Sequence, residues 1–191
     1  MNERVFNLPN VVTLLRLAAV PGVGWLILHQ RWEAACWLFV AAAVSDGVDG
    51  MLARWLDQLT QLGAALDSVA DKALGLVTLV MLTQVGAIPL WVTLPILLRD
   101  TVIVLGALSY RGLAGHLEIR PTWLGKTHMF AELSLLALVL GTLAGLLTPD
   151  GWLQPLFVGV FVIAVTSGVQ YVWIWSAKAR RERESGRLNP R

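Results

Sequence analysis

Apolar residues fill six long runs along the chain, and short polar stretches separate them. The runs predict helices over residues 8–28, 32–55, 62–85, 90–110, 123–147 and 152–175. A helix needs about 20 residues to cross the hydrocarbon core of a bilayer, and each run reaches that length. The sequence therefore predicts an all-α, polytopic membrane protein with six transmembrane helices.

The composition agrees with a membrane protein rather than a soluble domain. Of the 191 residues, 56% are hydrophobic and only 15% are charged, and the mean hydropathy is +0.65. We expect one membrane domain over residues 1–177, followed by a charged cytosolic tail over residues 178–191. The first apolar run is expected to be a retained helix, not a cleaved signal peptide. Cys36 is the only cysteine, so no internal disulfide forms.

Four carboxylates interrupt the second and third runs. Asp46 and Asp49 are three positions apart, and Asp67 and Asp71 are four apart, so each pair projects from one helix face. The polar stretch at residues 57–61 predicts a turn between antiparallel helices. Since the pairs are nearly equidistant from this turn, the four side chains are expected to lie at one depth and to converge.

An aspartate near the centre of a membrane helix costs roughly 2.5 to 3.5 kcal/mol, so four converging carboxylates need compensation. A divalent cation supplies it, and ligands that are all oxygen favour Mg²⁺, Mn²⁺ or Ca²⁺ over zinc. Gly50 and Gly63 would let a bulky anionic ligand approach the backbone, and Arg54 offers a fork for phosphate. The stretch indicates a site for metal ions and a phosphorylated ligand.

These residues resemble a known signature. The pattern Asp46-x2-Asp49-Gly50-x2-Ala53-Arg54-x8-Gly63-x3-Asp67-x3-Asp71 is similar to that of the CDP-alcohol phosphotransferases, membrane enzymes of phospholipid synthesis. The likeness covers roughly residues 5–175. One departure is Ser68, where many relatives have proline; it is not expected to remove a ligand.

The resemblance implies roles by position. Asp46, Asp49, Asp67 and Asp71 would hold two divalent ions, Mg²⁺ or Mn²⁺, and Asp71 would also act as the general base. The CDP site would be lined by Asn10, Thr13, Gly50, Ala53, Arg54 and Gly63. From spacing alone, Asn10, Thr13 and Arg16 share one face, where a helix cap and a snorkelling arginine are the alternative interpretation.

Four basic residues are candidates for binding the phosphate of the acceptor substrate: Arg16, Arg99, Arg120 and Lys126. Each has an alternative. Arg99 lies inside an apolar run and could instead form an interhelix salt bridge; because adjacent helical residues diverge, it need not pair with Asp100. Arg120 and Lys126 also fit a simple excess of positive charge on the cytosolic side. Lys72 is a candidate counter-charge for Asp71, with a phosphate contact as the alternative. The histidines His29, His116 and His128 show no zinc-ligand spacing and are expected to be interfacial.

Charge asymmetry predicts the orientation. With six spans, one side receives Arg4, Arg54, Arg111, Arg120, Lys126 and the six bases of the tail, whereas the other receives only Arg31. The excess of positive charge favours both termini and the acidic site in the cytosol. We expect the membrane to be a bacterial inner membrane. Six tryptophans fall at predicted span ends, as an aromatic belt requires: Trp32, Trp55, Trp91, Trp123, Trp152 and Trp175.

The function that the resemblance implies is transfer of a phosphatidyl group from CDP-diacylglycerol to a hydroxyl, with release of CMP. The strings Leu98-Arg99-Asp100 and Arg120-Pro121-Thr122-Trp123 resemble CMP-forming cardiolipin synthases, whose acceptor is phosphatidylglycerol. The string Trp123-Leu124-Gly125-Lys126 resembles phosphatidylglycerophosphate synthases, whose acceptor is glycerol 3-phosphate. We expect membrane lipids as surroundings, a homodimer as the family's assembly and no nucleic acid partner. The alternative of another class is a divalent-cation transporter, which also places acids in a helix bundle.

Overall fold

Six α-helices make up the fold, in the order that the apolar runs predict. The computed structural model describes the backbone of residues 8–55, 61–114 and 122–184, and the side chains of residues 12–45, 69–106 and 122–177. All regular structure in these ranges is helical. The helices α1 to α6 span Leu8–Leu28, Trp32–Trp55, Gln61–Gln84, Leu90–Ala114, Trp123–Leu143 and Leu153–Glu184. The all-α prediction is confirmed.

Three helix ends differ from the sequence prediction by more than one residue. Helix α4 continues to Ala114 and α6 continues to Glu184, so much of the charged tail is helical. Helix α5 ends early, at Leu143, because Gly145 adopts a φ of 72°. There the Gly145 N–H donates to the Thr142 carbonyl at 3.1 Å and the Leu146 N–H donates to the Gly141 carbonyl at 2.9 Å. This paired arrangement is a Schellman cap.

Gly141 and Gly145 therefore serve a helix end. The spacing Gly141-x3-Gly145 also matches a helix-packing motif, but Gly145 lies beyond the helix. A Cβ added to Gly141 would lie 3.0 Å from Leu147 Cδ1. The leucine packs back over the capped end, as the hydrophobic contact of such a cap does.

The chain forms two compact units. The first contains residues 1–89 and 133–153, that is, α1, α2, α3 and the second part of α5. In it α1 packs against both α2 and α3. Glycines permit the close approach, because a Cβ on Gly22 would lie 3.3 Å from Leu38 and one on Gly24 would lie 3.2 Å from Val77. The fully or almost fully buried apolar side chains of this core include Val23, Ile27, Phe39, Leu74, Leu79 and Leu82.

The second unit contains residues 90–132 and 154–191, that is, α4, the first part of α5, and α6. Near the start of α4, the Trp91 ring makes edge contacts with Phe157 and Phe161 on α6, at centroid distances of 6.5 and 5.7 Å. Further along α4, a Cβ on Gly106 would lie 3.0 Å from Trp175 Nε1. Aromatic and small residues thus hold α4 and α6 together along much of their length.

Two helices within the described ranges are long and apolar enough to cross a membrane, Trp123–Leu143 and Leu153–Ala177. Val12–Leu28 and Trp32–Ser45 are shorter apolar helical segments. All six helices nevertheless expose large apolar side chains: Leu15, Trp37, Leu76, Leu98, Phe130 and Val169 are examples. Exposure on this scale is unusual for a soluble monomer and is what a helix presents to lipid. The prediction of six spans remains a prediction.

Cysteine accessibility distinguishes six spans from two. In a Cys36→Ala background, single cysteines replace Arg31, Gln84 or Leu188. If all six helices span, a membrane-impermeant maleimide applied outside labels the first two positions, because each follows an outward-running helix. The cysteine at 188 reacts only after permeabilisation.

If α5 and α6 alone span, the segments before α5 lie on the same side as the tail. Labelling at 31 and 84 only after permeabilisation would therefore contradict the six-span prediction.

Candidate active site

The two acidic pairs lie on neighbouring helices of the first unit. Asp46 and Asp49 belong to α2, and Asp67 and Asp71 belong to α3, so both pairs have the helical spacing that the sequence predicts. Helix α2 packs against α3, and α1 contacts both. Asp71 is the acid whose side chain is described; those of Asp46, Asp49 and Asp67 lie outside the described residues. Their convergence stays a prediction.

A buried ion pair joins α1 to α3 at this place. The Arg16 Nη1 atom lies 2.8 Å from Asp71 Oδ1, and the side chains are 0% and 15% exposed. Arg16 Nε also lies 3.5 Å from Ser45 Oγ on α2, at the limit of a hydrogen bond. A guanidinium without water around it needs such partners, because burying an unpaired charge is strongly unfavourable.

Arg16 therefore takes the position that the sequence analysis gave to Lys72, whose side chain is exposed. Sequence alone favoured Lys72 because it adjoins Asp71 in the chain. Adjacent helical residues point in different directions, however, whereas a residue on a packed neighbouring helix can face Asp71 directly. Ser45 Oγ donates to the Ala42 carbonyl at 2.8 Å, which fixes it immediately before Asp46, the first acid of the motif.

Of the residues expected at the CDP site, Thr13 is the one whose side chain the structure describes. Thr13 is buried, at 4% exposure, one helical step before Arg16 on the same side of α1. The remaining candidates lie where no side chain is described: Asn10, Gly50, Ala53, Arg54 and Gly63. Their roles remain predictions.

A second polar cluster lies in the other unit, around Arg99 on α4. The Arg99 Nη1 atom lies 2.6 Å from Asp100 Oδ1, and Nε and Nη2 lie 3.4 Å from Ser167 Oγ on α6. The guanidinium carbon lies 5.6 Å from the centre of the Tyr171 ring, within range of a cation–π interaction. Arg99 and Asp100 do pair, because the long arginine side chain folds back along α4 to its neighbour.

The first turn of α5 meets this cluster. The Gly125 N–H donates to Thr122 Oγ1 at 3.1 Å, so Thr122 caps the helix. A Cβ added to Gly125 would lie 2.9 Å from Tyr171 Oη and 3.5 Å from Arg99 Nη2. Glycine at this position therefore lets a phenol and a guanidinium approach the amino end of α5.

Two more acceptor-site candidates belong to this region. Lys126 is exposed, and its Nζ lies 5.7 Å from the centre of the Trp123 ring. Arg120 lies outside the described residues. The acceptor-phosphate roles of Arg16, Arg99, Arg120 and Lys126 stay predictions.

His128 differs from the interfacial residue that the sequence predicts. Its side chain is fully buried on α5, and Nδ1 lies 3.7 Å from Glu132 Oε2. By contrast His29 is exposed at the end of α1, where Nδ1 lies 2.8 Å from the Trp25 carbonyl oxygen and the ring stacks on Trp25. The sequence feature that could have indicated the burial of His128 is its position three residues after Gly125, on the same helix face.

Among the side chains that the structure describes, no three histidine, cysteine, aspartate or glutamate residues come together as metal ligands. Three of the four expected ligands lie outside that set. The chemistry of the expected donors, four carboxylates on two packed helices, fits hard divalent cations.

Comparison with known proteins identifies the family. The CDP-alcohol phosphatidyltransferase family matches residues 6–177, nearly the whole chain. The chain belongs to this family, and the resemblance seen in the acidic motif is confirmed.

Its relatives have two kinds of name. A CDP-diacylglycerol–glycerol-3-phosphate 3-phosphatidyltransferase of Cereibacter sphaeroides is 38% identical over 144 residues, covering 72% of this chain and 65% of that protein. A CMP-forming cardiolipin synthase of Streptomyces coelicolor is 35% identical over 163 residues, covering 78% and 74%. A probable phosphatidylglycerophosphate synthase of Mycobacterium tuberculosis is 34% identical over 186 residues, covering 88% and 81%. The matched region is thus about two thirds of the length of the Cereibacter protein.

Breaking the pair between Arg16 and Asp71 should destabilise the fold. Replacing Arg16 with methionine leaves a carboxylate without its buried partner, at a cost of about 3 kcal/mol. In detergent, the thermal midpoint of Arg16→Met should fall by about 6 °C or more. The matched control is Arg31→Met, at an exposed position, which should stay within about 1 °C of wild type.

The double variant Arg16→Met with Asp71→Asn should recover part of the loss, because it also removes the carboxylate charge that Arg16 neutralises. Equal midpoints for Arg16→Met and the exposed control would contradict the structural importance of the pair.

Proposed function

We propose that this chain transfers a phosphatidyl group from CDP-diacylglycerol to a hydroxyl of a glycerophosphate acceptor, with release of CMP. The observation that carries the proposal is the coincidence of the family match with the acidic motif on the packed helices α2 and α3. The buried ion pair of Arg16 with Asp71 adds support, because it restrains the fourth acid of the motif.

Asp46, Asp49, Asp67 and Asp71 are the residues that would hold two divalent ions, Mg²⁺ or Mn²⁺. When bound, the ions would screen the pyrophosphate and stabilise the departing phosphate of CMP. The glycines at 50 and 63, with Asn10, Thr13, Ala53 and Arg54, would line the CDP group.

In this proposal Asp71 accepts the proton of the attacking hydroxyl. A general base must be held within hydrogen-bond reach of that proton, so its orientation matters as much as its basicity. Arg16, 2.8 Å from one carboxylate oxygen, would keep the Asp71 side chain in a single orientation. The same contact gives Arg16 a positioning role beside the phosphate-binding role expected from its sequence position.

The first acceptor that we propose is phosphatidylglycerol, which would give cardiolipin. It rests on the strings around Arg99 and Arg120, and on relatives named cardiolipin synthase. The second is glycerol 3-phosphate, which would give phosphatidylglycerophosphate. The string from Trp123 to Lys126 and the name of the Cereibacter relative favour it. Both acceptors carry a glycerophosphate group, which the basic residues Arg99, Arg120 and Lys126 would bind.

The setting that we propose is a bacterial inner membrane, with six spans and with both termini and the acidic site in the cytosol. Apolar side chains exposed on all six helices support lipid contact, and the distribution of basic residues supports the orientation. A homodimer is proposed from the family alone.

The acceptor assay tests the reaction. Purified protein in detergent receives CDP-diacylglycerol, Mg²⁺ or Mn²⁺, and one acceptor at a time. We expect CMP release with phosphatidylglycerol, or with glycerol 3-phosphate if the second candidate is right, and loss of activity with a metal chelator. Release with inositol or serine alone would overturn both. Metal uptake into proteoliposomes without turnover of the CDP-lipid would favour a transporter.

The role of Asp71 has its own test. Asp71→Asn keeps the size of the side chain but removes the base, so CMP release should fall at least about 100-fold. Binding of CDP-diacylglycerol should remain within about threefold of wild type. Asp150→Asn, in an exposed turn, is the matched control. Lost CDP-lipid binding with unchanged folding would make Asp71 a binding ligand rather than the base.

A further inference from the structure

His128 is a buried polar side chain whose ring nitrogens have no hydrogen-bond partner among the described residues. The imidazole is 0% exposed, and the 3.7 Å to Glu132 is too long for a hydrogen bond. Leaving such a group unpaired in an apolar interior is unfavourable. A neutral imidazole carries one N–H donor and one acceptor nitrogen. A polar ligand beside the ring would satisfy them.

The surroundings indicate which kind of ligand. Gly125, His128 and Glu132 follow one another at helical intervals of three and four, so they share one face of α5. At Gly125 that face meets the Arg99 guanidinium and the Tyr171 hydroxyl. His128 thus lies one turn along α5 from a cluster of hydrogen-bond donors.

The donors suit an anionic ligand. The amino end of α5 contributes partial positive charge, and the guanidinium and the phenol add directed N–H and O–H groups. Asp100 and Glu132 are the acids near the ring; Asp100 is bound to Arg99 at 2.6 Å, and Glu132 lies one turn further along α5. Along this face of α5, His128 therefore lies between Gly125, where the donors meet the helix, and Glu132.

We infer that His128 completes the acceptor subsite by donating a hydrogen bond from its ring to an oxygen of the glycerophosphate group. The inference rests on the proposed function and adds a residue that the acidic motif and the basic loop do not include. Glycerol 3-phosphate and the head group of phosphatidylglycerol share this chemistry. His128 forms no covalent bond and transfers no proton in the reaction; it binds the acceptor.

An acceptor contact and a structural role predict opposite results when the ring is replaced by an apolar side chain of similar size. If His128 serves the acceptor, His128→Leu removes an unpaired polar group from the apo protein, so the thermal midpoint stays or rises. The KM for the acceptor rises at the same time. If the ring is a structural partner of Glu132 or of a buried water, the midpoint falls and the KM is unchanged.

The experiment compares His128→Leu and His128→Asn with wild type in the CMP-release assay. Each protein is titrated with glycerol 3-phosphate and, separately, with phosphatidylglycerol, at saturating CDP-diacylglycerol. We expect His128→Leu to raise the KM of the acceptor that the wild type uses by about tenfold or more. The KM for CDP-diacylglycerol should change less than about twofold. His128→Asn, which keeps a donor, should recover most of the loss. His29→Leu, at the exposed histidine, is the matched control.

The outcomes separate this inference from the proposed function. Wild type that releases no CMP with either acceptor contradicts the proposed function itself. Wild-type turnover with an unchanged acceptor KM in His128→Leu overturns the inference and leaves the function standing. If His128→Leu does not fold, His128→Phe, which also lacks a donor, takes its place, and an unchanged acceptor KM in His128→Phe would likewise overturn the inference.

Discussion

The buried charge of Arg16 is the constraint on which the first unit depends. A guanidinium at 0% exposure among apolar helices is tolerated only where acceptors surround it, and these come from α3 through Asp71 and from α2 through Ser45. Helix α1 must therefore lie against both helices in one register. Glycines 22 and 24 make that approach possible, because side chains there would meet Leu38 and Val77. Packing and charge therefore specify the same arrangement of α1 against α2 and α3. As a result, Asp71, an acid of the family motif, is held in place by Arg16.

Sequence reasoning predicted the features that depend on local pattern. Apolar runs gave six helices and an all-α fold, and the spacing of four aspartates gave the family. Helix ends were harder, because they depend on single-residue conformations. Gly145 stops α5 through a positive φ, whereas hydropathy continues smoothly to Leu147. The basic and acidic residues after Trp175 read as a loose tail, yet charged residues are good helix formers and α6 continues through them.

Pairing between charged groups was the feature that sequence predicted least well, because partners are chosen in three dimensions. Chain proximity suggested Lys72 for Asp71, but α1 supplies Arg16. Helical direction did not require a pair between Arg99 and Asp100, but a flexible side chain can return to its own neighbour while also reaching Ser167 and Tyr171 on α6. His128 looked like an interfacial histidine because hydropathy does not reveal which face of α5 is covered. Burial by neighbouring helices depends on the tertiary structure, so a local sequence pattern does not predict it.

Acceptor choice has to be decided by few residues. Relatives named for two different acceptors match this chain at 38% and 35% identity, so overall similarity does not separate them. The two acceptors share the glycerophosphate group and differ in whether lipid chains are attached to it. A site that binds the shared glycerophosphate group through directed hydrogen-bond donors would accept either acceptor. Selection between the two acceptors would then depend on the space left beside that group. If Arg99 and His128 bind the acceptor as proposed, the residues around them would set this space, and none of these residues belongs to the acidic motif. In this proposal the transfer chemistry and the recognition of the acceptor rest on different residues.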